Sequence, residues 1–418
     1  MKRIRPLIYI IVILAVIKLV FNLNLFSSLE HKAQDYMFKL RGVQAPSDQI
    51  VVVALDDETF NATQASWPFP RDMHAKLIDN LNAAGARQII FDVEFTENSD
   101  PLADSILGAT AAKYQNVIFS GKTIRNPDNP DHIQVLKPID PLLENGVAWG
   151  LVNMPYDTDN YVRNYASFDK VVDEYYYPIG VASIGNLRLY QADWAKTIKP
   201  GFNTLRVTDK NIRLNNRNQT LINYRGPANT FPYVSYSSVI DDSLTVMPGY
   251  QGAEMDEFYQ LQSEGVFQDK IVLVGMTIDE AHDKFPTPYG GELMPGVEIH
   301  ANFIEMVLQN IYLRTINPWL FIIIELLLII AAWFIFKLLK PQLAALLMLL
   351  LIVADLLVAF LLFRSQGLII PVIQTALAFV LIYIVSLISH YIETQKEKRF
   401  IRNAFQQYMA PQLVEQLL

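Results

Sequence analysis

Ile50-Val51-Val52-Val53-Ala54-Leu55-Asp56-Asp57 is a six-residue apolar run that stops on two acids, and with the segments C-terminal to it this run sets the fold class. A short continuous apolar run bounded by polar residues reads as a strand buried on both faces. Behind it, Arg71 to Ala84 places Leu77, Ile78 and Leu81 on one side of a helix, Gln88 to Val93 is a second such strand, Pro101 to Lys113 a second helix, and Val117 to Ser120 a third strand. Strands alternating with amphipathic helices predict βαβ units, joined by right-handed crossovers, around a mainly parallel sheet. After Asn126 a loop rich in Pro, Asp and Asn leads to shorter runs, Val147 to Met154 and Tyr161 to Val172, expected as antiparallel additions, then to a helix from Pro178 to about Tyr190. Lys270 to Gly275 returns to the buried-strand pattern, and Gly296 to Gln309 predicts a closing helix.

Outside this α/β region the chain turns apolar. At 51% hydrophobic over 418 residues it is too apolar for an ordinary soluble protein. Four stretches approach the roughly 20 residues that cross a bilayer core: Pro6 to Phe26, Trp319 to Phe336, Leu343 to Phe363 and Leu368 to Ser389. Lys and Arg in short flanks stay cytoplasmic. That rule puts Met1-Lys2-Arg3-Ile4-Arg5, the Lys337/Lys340 turn and Lys396-Glu397-Lys398-Arg399 inside, and Ser27 to Asn317 outside; only Arg364 dissents. No small-x-small cleavage site precedes Glu30, so the first segment reads as an uncleaved anchor and not a signal peptide. The expected layout is an anchor over 1–26, an extracytoplasmic α/β domain over 27–317, three spans over 318–390 and a cytoplasmic helix over 391–418. Four transmembrane helices would hold it in the bilayer of a bacterial inner membrane, with both termini cytoplasmic.

Composition also excludes classes. The net charge of −8 gathers into no basic block, so nucleic acid is not expected as a partner. Without cysteine there is no disulfide, thiolate metal site or cysteine nucleophile.

In open α/β sheets, ligands bind just beyond the carboxyl ends of the strands. This nominates Asp56, Asp57, Asp92, Glu94, Gly275 and Thr277, whose carboxylates suit a hard cation or a cationic small molecule. The same acids also read as helix caps and turn closers. His300, near Glu298 on the closing helix, can join such a site or simply pack. Gly-rich phosphate loops, nucleophile elbows and zinc-type His-Glu-x-x-His patterns do not occur, so no catalytic residue, metal site or cofactor is assigned. Inside the apolar segments, Lys18, Glu325 and Asp355 are costly in lipid. They predict a cluster of Lys18 with Glu325, Asp355 or both; the other reading has Lys18 snorkelling outward.

Three linked stretches carry a family likeness: Val53-Ala54-Leu55-Asp56-Asp57, Trp67-Pro68-Phe69-Pro70-Arg71 and Gly85-Ala86-Arg87-Gln88-Ile89-Ile90-Phe91-Asp92-Val93. With Lys270 to Gly275, Thr287-Pro288 and Pro295 to Asn302, they resemble the type-two CHASE sensor domain over Glu30 to Leu313. That likeness adds Trp67 and Arg71 to the candidate pocket, although Trp67 can equally shape a rigid loop and Arg71 and Arg163 can be buried ion-pair partners. Where the family tends to show a Gly in an Asp-x-Asp-Gly turn, this chain has Asn160, which tolerates the same positive φ.

Past the last span, Leu387, Tyr391, Thr394, Lys398, Ile401, Phe405 and Tyr408 recur at four-three spacing, the seam of a dimeric signalling helix or the face of an ordinary amphipathic one. The stretch Arg399 to Leu417, with Tyr408-Met409-Ala410-Pro411, resembles the lead-in to class III adenylate or guanylate cyclases. The resemblance implies a homodimeric receptor that detects an unidentified extracytoplasmic ligand or protein and regulates a cyclase domain beyond Leu418. The divalent metal and the ATP or GTP would belong to that domain. Rival readings are a non-enzymatic membrane scaffold or transport accessory protein, and an outer-domain hydrolase using Asp56, Asp57 and Asp92.

Overall fold

The computed structural model of the chain describes residues 5–22, 26–126, 128–185, 198–201, 203–245, 247–249, 256–279 and 283–408. It divides into two compact units, one of Phe38–Leu313 and one of Met1–Met37 with Arg314–Leu418.

The first unit is built on a seven-stranded sheet. Its early strands are β1 (Ile50–Leu55), β2 (Gln88–Glu94), β3 (Val117–Asn126), β4 (Asn129–Leu136) and β5 (Ala148–Leu151). Short strands outside it include β6 (Asn164–Ala166), β7 (Asp169–Val171), β8 (Glu174–Tyr176), β9 (Ile198–Gly201), β10 (Thr204–Val207), β11 (Lys210–Arg213) and β12 (Gln219–Leu221). β13 (Tyr233–Ser235) and β14 (Ile271–Met276) rejoin the sheet, whose order is β13-β1-β14-β2-β3. All of these neighbours are parallel. β3 then pairs with β5 through residues 118–121 in parallel, not antiparallel as expected of the Val147–Met154 run, and antiparallel with β4 through residues 122–126. The sheet is therefore α/β and mixed, mainly parallel with an antiparallel addition.

Several expectations are corrected. β3 does not stop at Ser120, because its second half gains β4 as a partner, and that partner occupies what reads as loop. The Tyr161–Val172 run is two strands: β6 pairs β12 while β7 pairs β8, so the chain must turn between them. The helix expected from Pro178 to Tyr190 spans Ile179–Ile184 and meets Gly185 as its C-cap; residues 186–190 lie outside the described ones. Ser27–Arg41 is a helix that the apolar pattern does not announce.

Period-two alternation sorts the sheet's side chains between two helical layers. Val51, Val53, Ile89, Phe91, Val272 and Val274 share a core with Leu77, Ile78 and Leu81 of the Arg71–Ala83 helix and Leu107 of Pro101–Tyr114. Asp100 starts the latter, accepting from the backbone N–H of Leu102 and Ala103, with Pro101 in the first turn, where its missing N–H costs nothing. The opposite face carries the Ile179–Ile184 and Gly296–Leu308 helices. There Gly275 lets β14 and the closing helix meet, since a Cβ at 275 would lie 2.6 Å from Val297 Cβ. Each apolar side chain buried in such a core contributes about 1.5–3 kcal/mol.

The second unit holds three helices long and apolar enough to cross a membrane, within Pro318–Leu338, Pro341–Gln366 and Val372–Ala404. The last continues to Tyr408. The N-terminal helix, Arg5–Asn22, has a shorter apolar stretch, Val12–Phe21; its Ile13 and Ile17 pack with Ile329, Trp333, Phe336 and Ile382. The last span does not start at Leu368: Leu368–Ile369 pairs with Arg314–Thr315, and helix begins at Val372. Glu30 receives the free N–H groups of Val372 and Ile373 at 2.9 and 3.0 Å, satisfying donors that a helix start leaves open.

Candidate functional site

β14 and β2 are neighbours and β5 lies on the far side of β3, and a cavity of about 810 Å³ opens beyond the carboxyl ends of these strands. Asp92, Val93 and Glu94 come from the end of β2, Val152 and Met154 from beyond β5, and Met276 and Ile278 from β14 and its exit. Trp67 and Phe60 form an aromatic wall, and Asp283, Gly296 and His300 line the remaining side. This is the place where parallel sheets hold ligands.

Asp92 sits on the face of β2 that meets the closing helix. There His300 Nε2 lies 3.8 Å from Asp92 Oδ1, too far for a hydrogen bond. The imidazole is fixed from its other nitrogen: Nδ1 is 2.5 Å from the Tyr165 hydroxyl, whose oxygen also accepts the Gly180 N–H at 3.2 Å. That phenol stacks on Phe303, centroids 3.9 Å apart. Gly180 donating to the phenol oxygen leaves the phenol's own hydrogen available to Nδ1, and in the tautomer that uses it the ring proton sits on Nε2, facing Asp92. Among the described residues, His300 Nε2 and Asp92 Oδ2 are buried without a hydrogen-bond partner.

Burial also sets the electrostatics. Desolvation takes His300 down to about 3, so the ring is neutral. Burial first, then the charges of Asp283 and Glu94, push the Asp92 carboxyl well above its usual range. Asp283 rises to about 7 through burial and then Glu94. It lies against Gly296, where a Cβ would come within 2.8 Å of its carboxylate.

Arg71 lines the same cavity but is engaged elsewhere. Its guanidinium is 3.5 Å from Asp104, donates to the Glu97 carbonyl at 3.2 Å and stands over the Phe95 ring at 4.6 Å. Trp67 packs edge-on to Phe69, which is buried in the core. The Trp67-Pro68-Phe69-Pro70-Arg71 stretch is thus at once structural and cavity wall.

The sequence nominees therefore separate. Trp67, Arg71, Asp92, Glu94 and His300 share one cavity. Asp56 and Thr277 line another, of about 740 Å³, with Asn229, Tyr233 and Glu292. Asp56 there is a helix cap: Oδ1 accepts from Thr59 N–H at 2.9 Å and from Ser235 Oγ at 2.8 Å. Asp57 is exposed in the first turn of Asp57–Thr63 and lines neither cavity. Asp283, Tyr165 and Met154 escape a reading of the sequence because they sit on irregular or very short segments where no periodicity marks them.

Matching the expectation at Asn160, that residue has φ +64°, and Arg163 is buried against Asp157 at 2.9 Å and Asp159 at 2.7 Å. Glu298 is also structural: its carboxylate accepts from the backbone N–H of Asn229 and Thr230 and from Tyr233 hydroxyl.

The family model described as the CHASE2 domain matches residues 10–339. The chain belongs to the CHASE2 family. Comparison with curated proteins and with solved structures finds no match. CHASE2 domains are sensor domains, so this is a membrane protein with a sensor module, and the CHASE2 cavity at the sheet's carboxyl edge is its candidate ligand site.

In the membrane-helix unit, Lys18 Nζ is 3.5 Å from Glu325 Oε2, which also accepts from Gln374 Nε2 at 2.8 Å. Asp355 does not join them; its Oδ2 is buried without a hydrogen-bond partner among the described residues. Of the signalling-helix residues, Ile401 is exposed on the final helix. Phe405 and Tyr408 fall within it, and Pro411 lies outside the described residues.

Proposed function

We propose that the chain is the sensor and membrane half of a receptor that detects an extracytoplasmic signal and regulates a class III nucleotide cyclase. The observation that carries this reading is the acid-lined cavity at the carboxyl edge of a CHASE2 sheet. Its buried Asp92 and His300 have atoms left for a ligand to satisfy. The Tyr408-Met409-Ala410-Pro411 stretch supports a cyclase as output, and the helix running unbroken from Val372 to Tyr408 supports transmission along one rigid element. In this reading the 38–313 unit lies outside the membrane, and homodimers form through the face bearing Ile401, Phe405 and Tyr408. Ligand binding shifts the balance between two arrangements of those helices.

The test is cyclic AMP accumulation in a cyclase-deficient bacterial host carrying the chain fused at Leu418 to a class III catalytic domain. Output should change by severalfold or more with Asp92→Asn or Trp67→Ala. A well-expressed, dimeric fusion whose output no cavity substitution moves would overturn the receptor reading in favour of a membrane scaffold.

A further inference from the structure

The cavity of about 810 Å³ beneath Trp67 falls within the 300–1,000 Å³ range of small-molecule sites, and its chemistry is one-sided. Among the described residues, Asp92, Glu94, Glu97 and Asp283 line it against a single cation, Arg71. That cation is already committed to Asp104 and the Glu97 carbonyl, and Glu94 is taken by Lys122 at 2.6 Å. Asp92 and the half-buried Asp283 are left as two mutually repelling carboxyls with no countercharge among the described residues. Burying a carboxylate without a partner is costly, and either a proton or a cation relieves it. A bare metal ion is the poorer fit, since the ligand atoms of Asp92, Asp283 and His300 do not gather within the reach of one ion. Beside the acids stand Trp67 and Phe60, whose ring faces attract cations and whose area suits an apolar ligand body.

Resting on the sensor reading above, we infer that the signal is a small organic cation, an amine or guanidinium compound. Its charged end lies between Asp92 and Asp283, and its body lies along Trp67 and Phe60. His300, held by Tyr165, turns its Nε2 toward the same end and orients Asp92. Binding such a cation ionises carboxyls that are otherwise partly protonated, so protons leave as the ligand enters.

The test is calorimetric titration of the full chain in detergent micelles with tyramine and agmatine, beside 4-hydroxyphenethyl alcohol and 4-hydroxyphenylacetate as neutral and anionic counterparts. At least one of the two cations should bind, about tenfold or more tighter than both counterparts. Asp92→Asn and Asp283→Asn should each weaken it about tenfold or more. Both variants should fold, because each removes an uncompensated buried charge. At pH 6 the heat should vary with the ionisation enthalpy of the buffer, which a merely structural pair of acids would not produce. Equal binding of the neutral or anionic counterpart, unchanged affinity in both variants, or no binding of either cation would overturn the inference. The two readings fail separately. If an amine binds while the cyclase fusion stays silent to it, the ligand class stands and the receptor reading falls. If Trp67→Ala moves the fusion's output while neither cation binds, the reverse holds.

Discussion

His300 Nε2 faces Asp92 Oδ1 across 3.8 Å while its Nδ1 is tied to the Tyr165 hydroxyl, so a neutral ring is aimed at an acid whose Oδ2 no described residue satisfies. The closing helix and β2 meet at this pair. Asp283 stands on the other flank, against Gly296 at the start of the same helix.

Acid–base linkage should make Asp283 visible in stability. Its carboxyl rises to about 7 on folding, so the folded state holds its proton more tightly than the unfolded chain does. The resulting stability is fully present below about pH 4 and is lost as pH climbs through about 7. His74 and His300, both lowered to about 3 by burial, act oppositely: they favour the folded state above about pH 6.5 and lose that contribution as pH falls. Urea unfolding of Asp283→Asn should therefore show a flatter decline between about pH 5 and 8 than the unsubstituted chain, with the histidine-driven loss toward acid kept. Parallel profiles for the two chains would contradict the linkage.

Packing at Gly275 is tight enough to predict a coupled pair. Gly275→Ala places a methyl 2.6 Å from Val297 Cβ and should destabilise by about 1–3 kcal/mol, as overpacking does. Val297→Ala opens that space, so the double substitution should cost less than the sum of the single ones. Denaturant midpoints of the four chains measure this; strict additivity would mean that the helix does not rest on the glycine.

Lys18 should answer to Glu325 and not to Asp355, given the 3.5 Å pair. Lys18→Glu should lower the melting temperature in detergent, and adding Glu325→Lys should recover most of the loss. Adding Asp355→Lys in its place should recover little. Equal rescue by both would mean that Lys18 moves freely between the two acids.

The proposed topology can be read directly, because the chain has no cysteine. Leu244, 86% exposed in the 38–313 unit, and Leu338, 86% exposed at the end of Pro318–Leu338, lie on opposite sides of the membrane in this reading. A membrane-impermeant maleimide on intact spheroplasts should label Leu244→Cys and spare Leu338→Cys until the cells are opened. The reverse pattern would invert the orientation.

Strands β1, β2 and β14 were legible because a strand covered on both faces must be apolar throughout, and Asp92 and Glu94 were legible because acids at the end of such a strand break the run. Trp67 and Arg71 were marked by likeness to the CHASE2 family, without which nothing in their spacing points to a cavity. Asp56 was equally visible and turned out to be a cap; residue type and position beyond a strand do not distinguish a capping acid from a free one.

Sequence by itself determined the local and the periodic: the buried strands, the helices between them, the apolar spans and the tolerance of Asn160 for positive φ. These depend on side-chain pattern along a few neighbouring residues. Only the tertiary structure decided that β14 inserts between β1 and β2, that Asp283 and Tyr165 come to Asp92 and His300, and that Lys18 chooses Glu325 over Asp355. Those are contacts between residues far apart in the chain, fixed by which surfaces pack together, and periodicity along the sequence carries no record of them.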